Sequence, residues 1–360
     1  MGAAVLSSFN ETMQRTAMTQ PTVTVINGNI SASCMVPYDE GRIPLLVLYI
    51  TVLIVGLPAN MATIYLTILK VLHNNVLAIY LLSLSLSDFT YLLTLPWWAI
   101  YVSRSHHWPW SSLACQVTGY IFFTNMYISI FLLCCISIDR YVAVVYALES
   151  RGLRHQKLAA FVTLVIWGVV GLGHAPVFSM PVSQDAKGEH RCFEPSQNTA
   201  TVTGFNYARF IVGFLAPLAV LIYTNYSILD NVRASVSITV HQKQKVRRLA
   251  VVVVLLFLLC FGPYHMLLLL RAITYHFPSL QDECTFKLHV YTPYIISLGL
   301  STVSSATNPV LYILSSDNIK KEFLCCVTSL RSRCCQCCVD TSQDTSTKTL
   351  NTQCQGTRMD

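Results

Sequence analysis

Three kinds of side chain in this sequence could do chemistry that their surroundings would not otherwise support. The first are lone charges inside long apolar runs. Asp88 is the one acid between Val76 and Val102, and Arg209 the one base between Phe205 and Leu229. An ionisable group at bilayer depth is costly, so it marks a switch, a pathway or a ligand contact. The second kind is histidine, with an ordinary pKa of ~6.5, represented by His106, His107, His174, His190, His265, His276 and His289. The third is cysteine, of which there are 14. No His-Glu-x-x-His or Gly-x-Ser-x-Gly motif occurs, so neither a zinc hydrolase nor a serine hydrolase is indicated. The chemistry on offer is binding and switching, and the chain does not read as an enzyme.

The elements that must position these groups follow from composition. The 360 residues are 53% hydrophobic and 11% charged, against roughly 25% charged in soluble chains. The apolar residues fall into seven blocks: 43–69, 76–102, 111–138, 158–178, 205–229, 249–270 and 288–316. About 20 apolar residues span a hydrocarbon core ~30 Å thick. The expectation is an all-α membrane protein: a seven-transmembrane helix bundle over 43–316, preceded by an extracellular tail, 1–42. A soluble bundle would need polar helix faces that these blocks lack.

Orientation follows from the linkers. Those after the first, third and fifth blocks are richer in Lys and Arg than the other three, which places them in the cytosol and the N-terminus outside. Asn10 and Asn29 then begin glycosylation sequons on the outer side. The net charge of +7 reads as attraction to anionic cytosolic headgroups; no soluble basic domain exists that would bind nucleic acid. Cys34, Cys115, Cys192 and Cys284 lie where oxidation is permitted. We read Cys115 with Cys192 and Cys34 with Cys284, although four cysteines allow three pairings. Cys325 and Cys326, in a cytosolic cysteine group beside basic residues, suit palmitoylation, with a metal site as the lesser alternative.

Residues 317–328 set Lys320, Lys321 and Glu322 against Ile319, Phe323 and Leu324, which predicts a short amphipathic eighth helix on the membrane surface. Residues 329–360 form a cytoplasmic tail. Its Thr341, Ser342, Thr345, Ser346, Thr347 and Thr349 suit phosphorylation, and plain disordered polar sequence would look the same.

Several motifs carry a resemblance. Asp139-Arg140-Tyr141, Cys260-Phe261-Gly262-Pro263 and Asn308-Pro309-Val310-Leu311-Tyr312, with Asn60, Asp88, Trp167 and Pro217, resemble the signature set of rhodopsin-like (class A) G-protein-coupled receptors. Within that family, Asn75-Val76-Leu77-Ala78-Ile79-Tyr80, Cys134-Cys135-Ile136-Ser137-Ile138-Asp139-Arg140 and Pro263-Tyr264-His265 resemble the proton-sensing and lysolipid group. The likeness is greatest to its member responsive to oxidised fatty acids and lysophospholipids. The resemblance implies a plasma-membrane receptor with a heterotrimeric G protein as partner, and arrestin and receptor kinases acting on the Ser/Thr-rich tail. A secondary transporter would show paired broken helices and more midplane charge.

The resemblance and the residues together nominate three sites. Asp88 with Asn125, Ser129, Ser304, Ser305 and Asn308 could form a polar pocket. The family implies a sodium-linked switch there, with Phe261 as part of the activation relay; a hydrogen-bonded network without an ion weighs equally. At the cytosolic edge the resemblance assigns Asp139, Arg140, Tyr141 and Tyr312 to G-protein coupling, with Arg140 paired to Asp139 at rest. Two departures stand out: Lys243 where relatives often carry an acid, and Asn225 where they often carry Tyr. In the outer half, Arg209 and Arg271 project from apolar walls, which suits an amphiphile with an anionic head. Phe122, Phe123, Met126 and Tyr127 could line its tail pocket, and His174 and His265 are the histidines most suited to pH modulation. The alternative for Arg209 is a salt bridge to Glu194. Strong proton sensors of the group carry acids where this chain has Val170 and Asn308, so lipid sensing ranks above primary proton sensing.

Overall fold

Helix starts are written locally. Asn75, Ser111 and Thr199 each accept a hydrogen bond from the backbone N–H three residues on, and Thr239 forms a reciprocal capping box with Gln242. Such caps satisfy donors that the first turn of a helix leaves unpaired. A computed structural model of the chain describes residues 23–26, 29–32, 38–146, 154–179, 183–184, 190–192, 199–234, 239–277 and 283–315.

Within those residues seven long helices follow in order: α1 Arg42–Leu72, α2 Val76–Ser103, α3 Ser112–Val145, α4 Gln156–His174, α5 Ala200–Ala234, α6 Val240–Thr274 and α7 Glu283–Ser315. The first six are long and apolar enough to cross a membrane, and the seventh covers residues 288–315 of the uncharged run read from the sequence. A five-residue 3-10 turn, Ala175–Ser179, extends α4, and α5 is interrupted by a π turn at Ile211–Leu215. Two short antiparallel strand pairs lie outside the bundle, β1 Val23–Ile26 with β2 Asn29–Ala32 and β3 Ser183–Gln184 with β4 His190–Arg191. The first pair falls in the tail where the sequence predicted little order; Val23, Thr24 and Val25 are β-branched residues that favour extended backbone.

The polarity of the bundle is inverted relative to a soluble protein. Ile43, Ile54, Leu164 and Leu172 face outward with two-thirds or more of their surface exposed, while Asn60, Asp88, Ser129 and Ser305 are fully buried. Lipid tails make the first arrangement costless, and the second is tolerated because the buried polar groups pair with one another. Helix α3 is the hub, packing against α2, α4 and α5; α1 rests on α2 and α7, and α6 on α7.

Several helices outrun the apolar blocks. The fifth starts at Ala200 rather than Phe205, and the sixth at Val240 rather than Leu249. An apolar window measures the hydrocarbon depth, whereas a capped helix continues into water on its own hydrogen bonds.

Candidate functional site

Asp88 sits at the centre of the bundle with no exposed surface. Its Oδ1 accepts from Asn125 Nδ2 at 2.9 Å, Ser305 Oγ at 2.8 Å and, more weakly, Ser129 Oγ at 3.4 Å; its Oδ2 accepts from Asn308 Nδ2 at 2.8 Å. Asn125 also donates to Ser87 Oγ at 3.1 Å, and Asn60 Nδ2 ties the backbone of Gly56 to that of Ser305 at 2.8 and 2.7 Å. Helices α2, α3 and α7 therefore meet at one carboxylate, and α1 joins them through Asn60. Ser304, one residue from this group, turns instead to the carbonyl of Ser301 at 2.8 Å. The oxygens of Asp88, Ser129, Ser305 and Asn125 form a donor set chemically suited to a small monovalent cation. In the arrangement seen, their hydroxyls and amides already satisfy the acid. Phe261 lies apart from the Asp88 group: its ring packs on Phe257 with centroids 5.3 Å apart, and its carbonyl pairs with His265 Nδ1 at 2.7 Å.

The half of the bundle that the sequence reading assigns to the outside is organised by the break in α5. At Gly213, within the π turn, a Cβ would fall inside contact distance of the Tyr127 ring. Only glycine lets α5 close on α3 here. The Tyr127 ring lies between two histidines, stacked on His174 at 5.1 Å and edge-on to His265 at 5.7 Å. His174 Nδ1 pairs with the Val170 carbonyl at 2.9 Å. His265 is fully buried and stacks on Phe214 at 5.0 Å. Its Nε2 and the Tyr127 hydroxyl are both enclosed without a hydrogen-bond partner.

Arg209 holds its guanidinium 5.5 Å from the Phe123 ring centroid, a cation–π contact, and its charge acts on Tyr264, Tyr127 and Tyr294. Arg271 is buried and its charge acts on Tyr264 and Tyr294 as well. The two arginines, from α5 and α6, thus converge on one tyrosine pair whose centroids are 6.2 Å apart. Among the described residues no carboxylate pairs with Arg209; Glu194 lies outside them. Phe123, Met126 and Tyr127 are buried on the inner side of this region. Phe122 instead faces α2, with Tyr91 at 5.6 Å and Trp98 at 6.0 Å.

At the end of the bundle that the sequence reading assigns to the cytosol, the resting pair is not the one expected. Asp139 is buried, and both its oxygens are taken by Arg154, through Nε and Nη2 at 2.9 Å each. Arg140 is exposed and makes no ion pair with Asp139, which corrects the Asp139–Arg140 pairing that the resemblance implied. The physical reason is competition: Arg154, approaching from another element, lays its planar fork against both oxygens of Asp139 and leaves no acceptor to the adjacent Arg140. Tyr141 packs with Tyr146 at 5.7 Å and Tyr223 of α5 at 5.9 Å. Asn225 donates to Ser137 Oγ at 3.2 Å, and Ser137 pairs with Thr224 Oγ1 at 2.7 Å, joining α3 to α5.

Comparison with known proteins decides the family. Residues 59–312 match the family described as 7 transmembrane receptor (rhodopsin family). The chain is a rhodopsin-family G-protein-coupled receptor. It is similar to the protein named Probable G-protein coupled receptor 132 of Mus musculus, 46% identical over 81% of this chain and 76% of the relative. Its likeness to the protein of the same name from Homo sapiens is 43% over 80% and 74%. To G-protein coupled receptor 68 of Homo sapiens it is 35% identical over 85% and 81%. The group resemblance read from the sequence holds in these relatives, and the secondary-transporter reading is set aside.

The segment between α4 and α5 is pinned to α3 by a disulfide between Cys115 and Cys192, as expected. Tyr101 reinforces it, donating its hydroxyl to the Cys192 carbonyl at 2.8 Å. Asn10, Cys34, Cys325, Cys326, the eighth helix and the cytoplasmic tail lie outside the described residues, as do the side chains of Asn29, Cys284 and Tyr312. Arg154, Gly213, Ser87 and the Tyr264–Tyr294 pair were missed by sequence reading. For Gly213 the signal was present, a glycine one turn before Pro217 flanked by Ile211, Val212, Phe214 and Leu215. For Arg154 no local signal existed, because its partner is 15 residues away in another helix.

Proposed function

We propose that this receptor recognises an anionic amphiphile, an oxidised fatty acid or a lysophospholipid, and passes the signal across the plasma membrane to a heterotrimeric G protein. The observation that carries the reading is the convergence of Arg209 and Arg271 on Tyr264 and Tyr294 from two helices, with no carboxylate on Arg209 among the described residues. A head group with negative charge completes that site, and Phe123, Met126 and Tyr127 receive the apolar tail. The unpartnered Tyr127 hydroxyl and His265 Nε2 offer an oxygenated chain what a saturated one could not use.

In this reading the N-terminus is extracellular and glycosylated at Asn10 and Asn29, a second disulfide joins Cys34 to Cys284, and the C-terminus is cytosolic. Cys325 and Cys326 carry palmitate beside the eighth helix. Arrestin and receptor kinases act on the tail, and Asp88 with its neighbours is the activation switch, with sodium as an allosteric occupant. Protons act as modulators. Primary proton sensing is the second reading, favoured by one observation: His174 and His265 flank Tyr127 close to Arg209, so protonating them would add like charge to an already cationic cluster.

The test titrates a hydroxylated linoleic acid at fixed pH, and pH at fixed lipid, on wild type and Arg209→Ala. Loss of a charge-assisted contact worth about 1.5–3 kcal/mol predicts a fall in lipid potency of about 10- to 150-fold. An unchanged lipid response in Arg209→Ala rules out the anion clamp. A pH response that persists without lipid and disappears in the His174 and His265 variants would favour the second reading.

A further inference from the structure

Of the three sites, the cytosolic one contains a residue that neither the family motif nor the sequence assigned a task. Arg154 lies two residues before α4 and reaches across to α3, where its Nε and Nη2 meet the two oxygens of Asp139 at 2.9 Å each. The pair is asymmetric: the Asp139 side chain keeps 5% of its surface and that of Arg154 keeps 31%. The acid is committed at depth, and the base arrives from the rim. Tyr80 of α2 lies close enough for both charges of the pair to act on it.

The consequence falls on the neighbouring residue. Arg140 is exposed, and among the described residues no carboxylate pairs with it. No acid of α6 can take that place, because Val240 to Ala250 contains no Asp or Glu. Lys243, at the base of α6, gives its Nζ to the Arg233 carbonyl at 2.9 Å and so stitches α6 to the end of α5. Removing Arg154 would leave a buried carboxylate uncompensated. With the competing fork gone, Arg140, one residue along the same helix, is the cation that answers it.

We propose that Arg154 is a positioning residue for G-protein coupling: by occupying Asp139 it keeps Arg140 uncommitted at the cytosolic face, where the G protein docks. The Asp139–Arg154 fork is therefore permissive, and its loss silences the receptor by letting Asp139 capture Arg140. This sign is opposite to that of a lock between Arg140 and α6, whose loss raises activity.

The experiment is ligand-free nucleotide exchange on a panel of purified G-protein heterotrimers, using membranes carrying full-length receptor and normalised to surface receptor. Because no agonist enters, its outcome is independent of the lipid proposal. Wild type should exceed mock membranes. Arg154→Ala should lower exchange about three- to thirty-fold, within the span that coupled neighbouring charges command. Adding Asp139→Asn in the same chain should restore exchange to about the level of Asp139→Asn alone, because no charge remains to capture Arg140. Arg154→Lys, which keeps the charge and loses the fork, should fall between, and carries the comparison if Arg154→Ala does not reach the surface. Wild-type exchange equal to mock, an unchanged or raised signal in Arg154→Ala, or a loss that Asp139→Asn does not repair would each overturn the proposal. The last outcome would leave Arg154 as a purely structural brace.

Discussion

Replacing Asp88 by Asn and by Ala separates what the buried charge does from what its hydrogen bonds do. Both variants lose the charge, so the difference between them reports the bonds. In Asp88→Asn the amide oxygen can stand where Oδ1 does and keep the three donors found there, Asn125, Ser305 and Ser129. The amide nitrogen then faces only Asn308, which relieves the clash by turning its own amide about. In Asp88→Ala the donors fare differently. Asn125 retains Ser87 Oγ at 3.1 Å and Ser305 retains Asn125 Oδ1 at 3.3 Å. Asn308 Nδ2 loses the acceptor it holds at 2.8 Å, and Ser129 Oγ loses its weaker one at 3.4 Å. The orphaned Asn308 amide, the stronger of the two lost bonds, costs about 1–3 kcal/mol and the deleted atoms about 1 kcal/mol more. Asp88→Ala should therefore be about 2–4 kcal/mol less stable than Asp88→Asn. Melting of the detergent-solubilised receptor, followed by size-exclusion of a fluorescent fusion, gives the comparison. Adding Asn308→Ala to Asp88→Ala should recover part of the loss, since it removes the orphan. Equal melting of the two Asp88 variants, or further loss on adding Asn308→Ala, would refute this account of the network. Repeating the scan in sodium and in choline chloride tests the ion: a cation held by Asp88 raises the wild-type midpoint in sodium alone and leaves Asp88→Asn unmoved.

Two further predictions concern the outer half. Gly213→Ala drives a methyl into the Tyr127 ring, which His174 and His265 hold in place on its other sides. Overpacking of about 1–3 kcal/mol, less about 1 kcal/mol gained by a helical alanine, predicts a net loss of about 0–2 kcal/mol together with reduced lipid potency. Tyr127→Ala should suppress the stability defect, and an additive double variant would contradict the packing argument. His106, in the first outer loop, is enclosed by Tyr38, Tyr101 and Tyr291, with Arg191 and Asp39 acting on it as well. Burial pushes its pKa down to about 4 from an ordinary 6.5. The unfolded chain then binds the extra proton first, so this contribution to stability is complete above pH ~6.5 and is lost as the pH falls towards ~4, at about 1.4 kcal/mol per unit. Melting at about pH 7 and pH 5 should show an acid-sensitive component that His106→Phe removes; an unchanged slope in that variant would assign the sensitivity elsewhere.

The bundle was legible because lipid imposes one rule along the whole chain. Runs without charge must be helices, and a residue such as Asp88 that breaks the rule must find partners inside. The same logic placed Asn125, Ser129 and Asn308 around it correctly, since small polar residues in apolar helices have few other places to go. Arg154 was illegible for the complementary reason: in a basic cytosolic linker one more arginine carries no information, and only the approach of α4 to α3 makes it the partner of Asp139. Phe122 illustrates a third limit. An aromatic residue on α3 packs well on either side, and the step of about 100° from Phe122 to Phe123 is enough to send one towards α2 and the other beneath Arg209.

All three sites share one rigid element. Phe123 and Tyr127, Asn125 and Ser129, and Asp139 and Arg140 stand on α3, and a rise of ~1.5 Å per residue puts about 21 Å between Asn125 and Asp139. Their states of satisfaction differ along it. The middle network is closed, with each oxygen of Asp88 taken. The inner acid is closed by Arg154. The outer cluster keeps unmet capacity at its centre, in Tyr127 Oη and His265 Nε2, beside an arginine without a paired carboxylate among the described residues. A ligand shifts an equilibrium only by what it contributes differently to two states. The outer cluster is where a ligand can add bonds that the resting arrangement does not already have. The two closed networks can only trade partners, which makes them the elements that respond. Satisfying Tyr127 moves a ring that Gly213 holds against the π turn of α5, and α5 is the helix that Asn225 and Thr224 join to Ser137, two residues before Asp139. The route from ligand to G protein is then a chain of packed contacts between α3 and α5. Arg154 sits at its end, setting whether Arg140 is available when the change arrives.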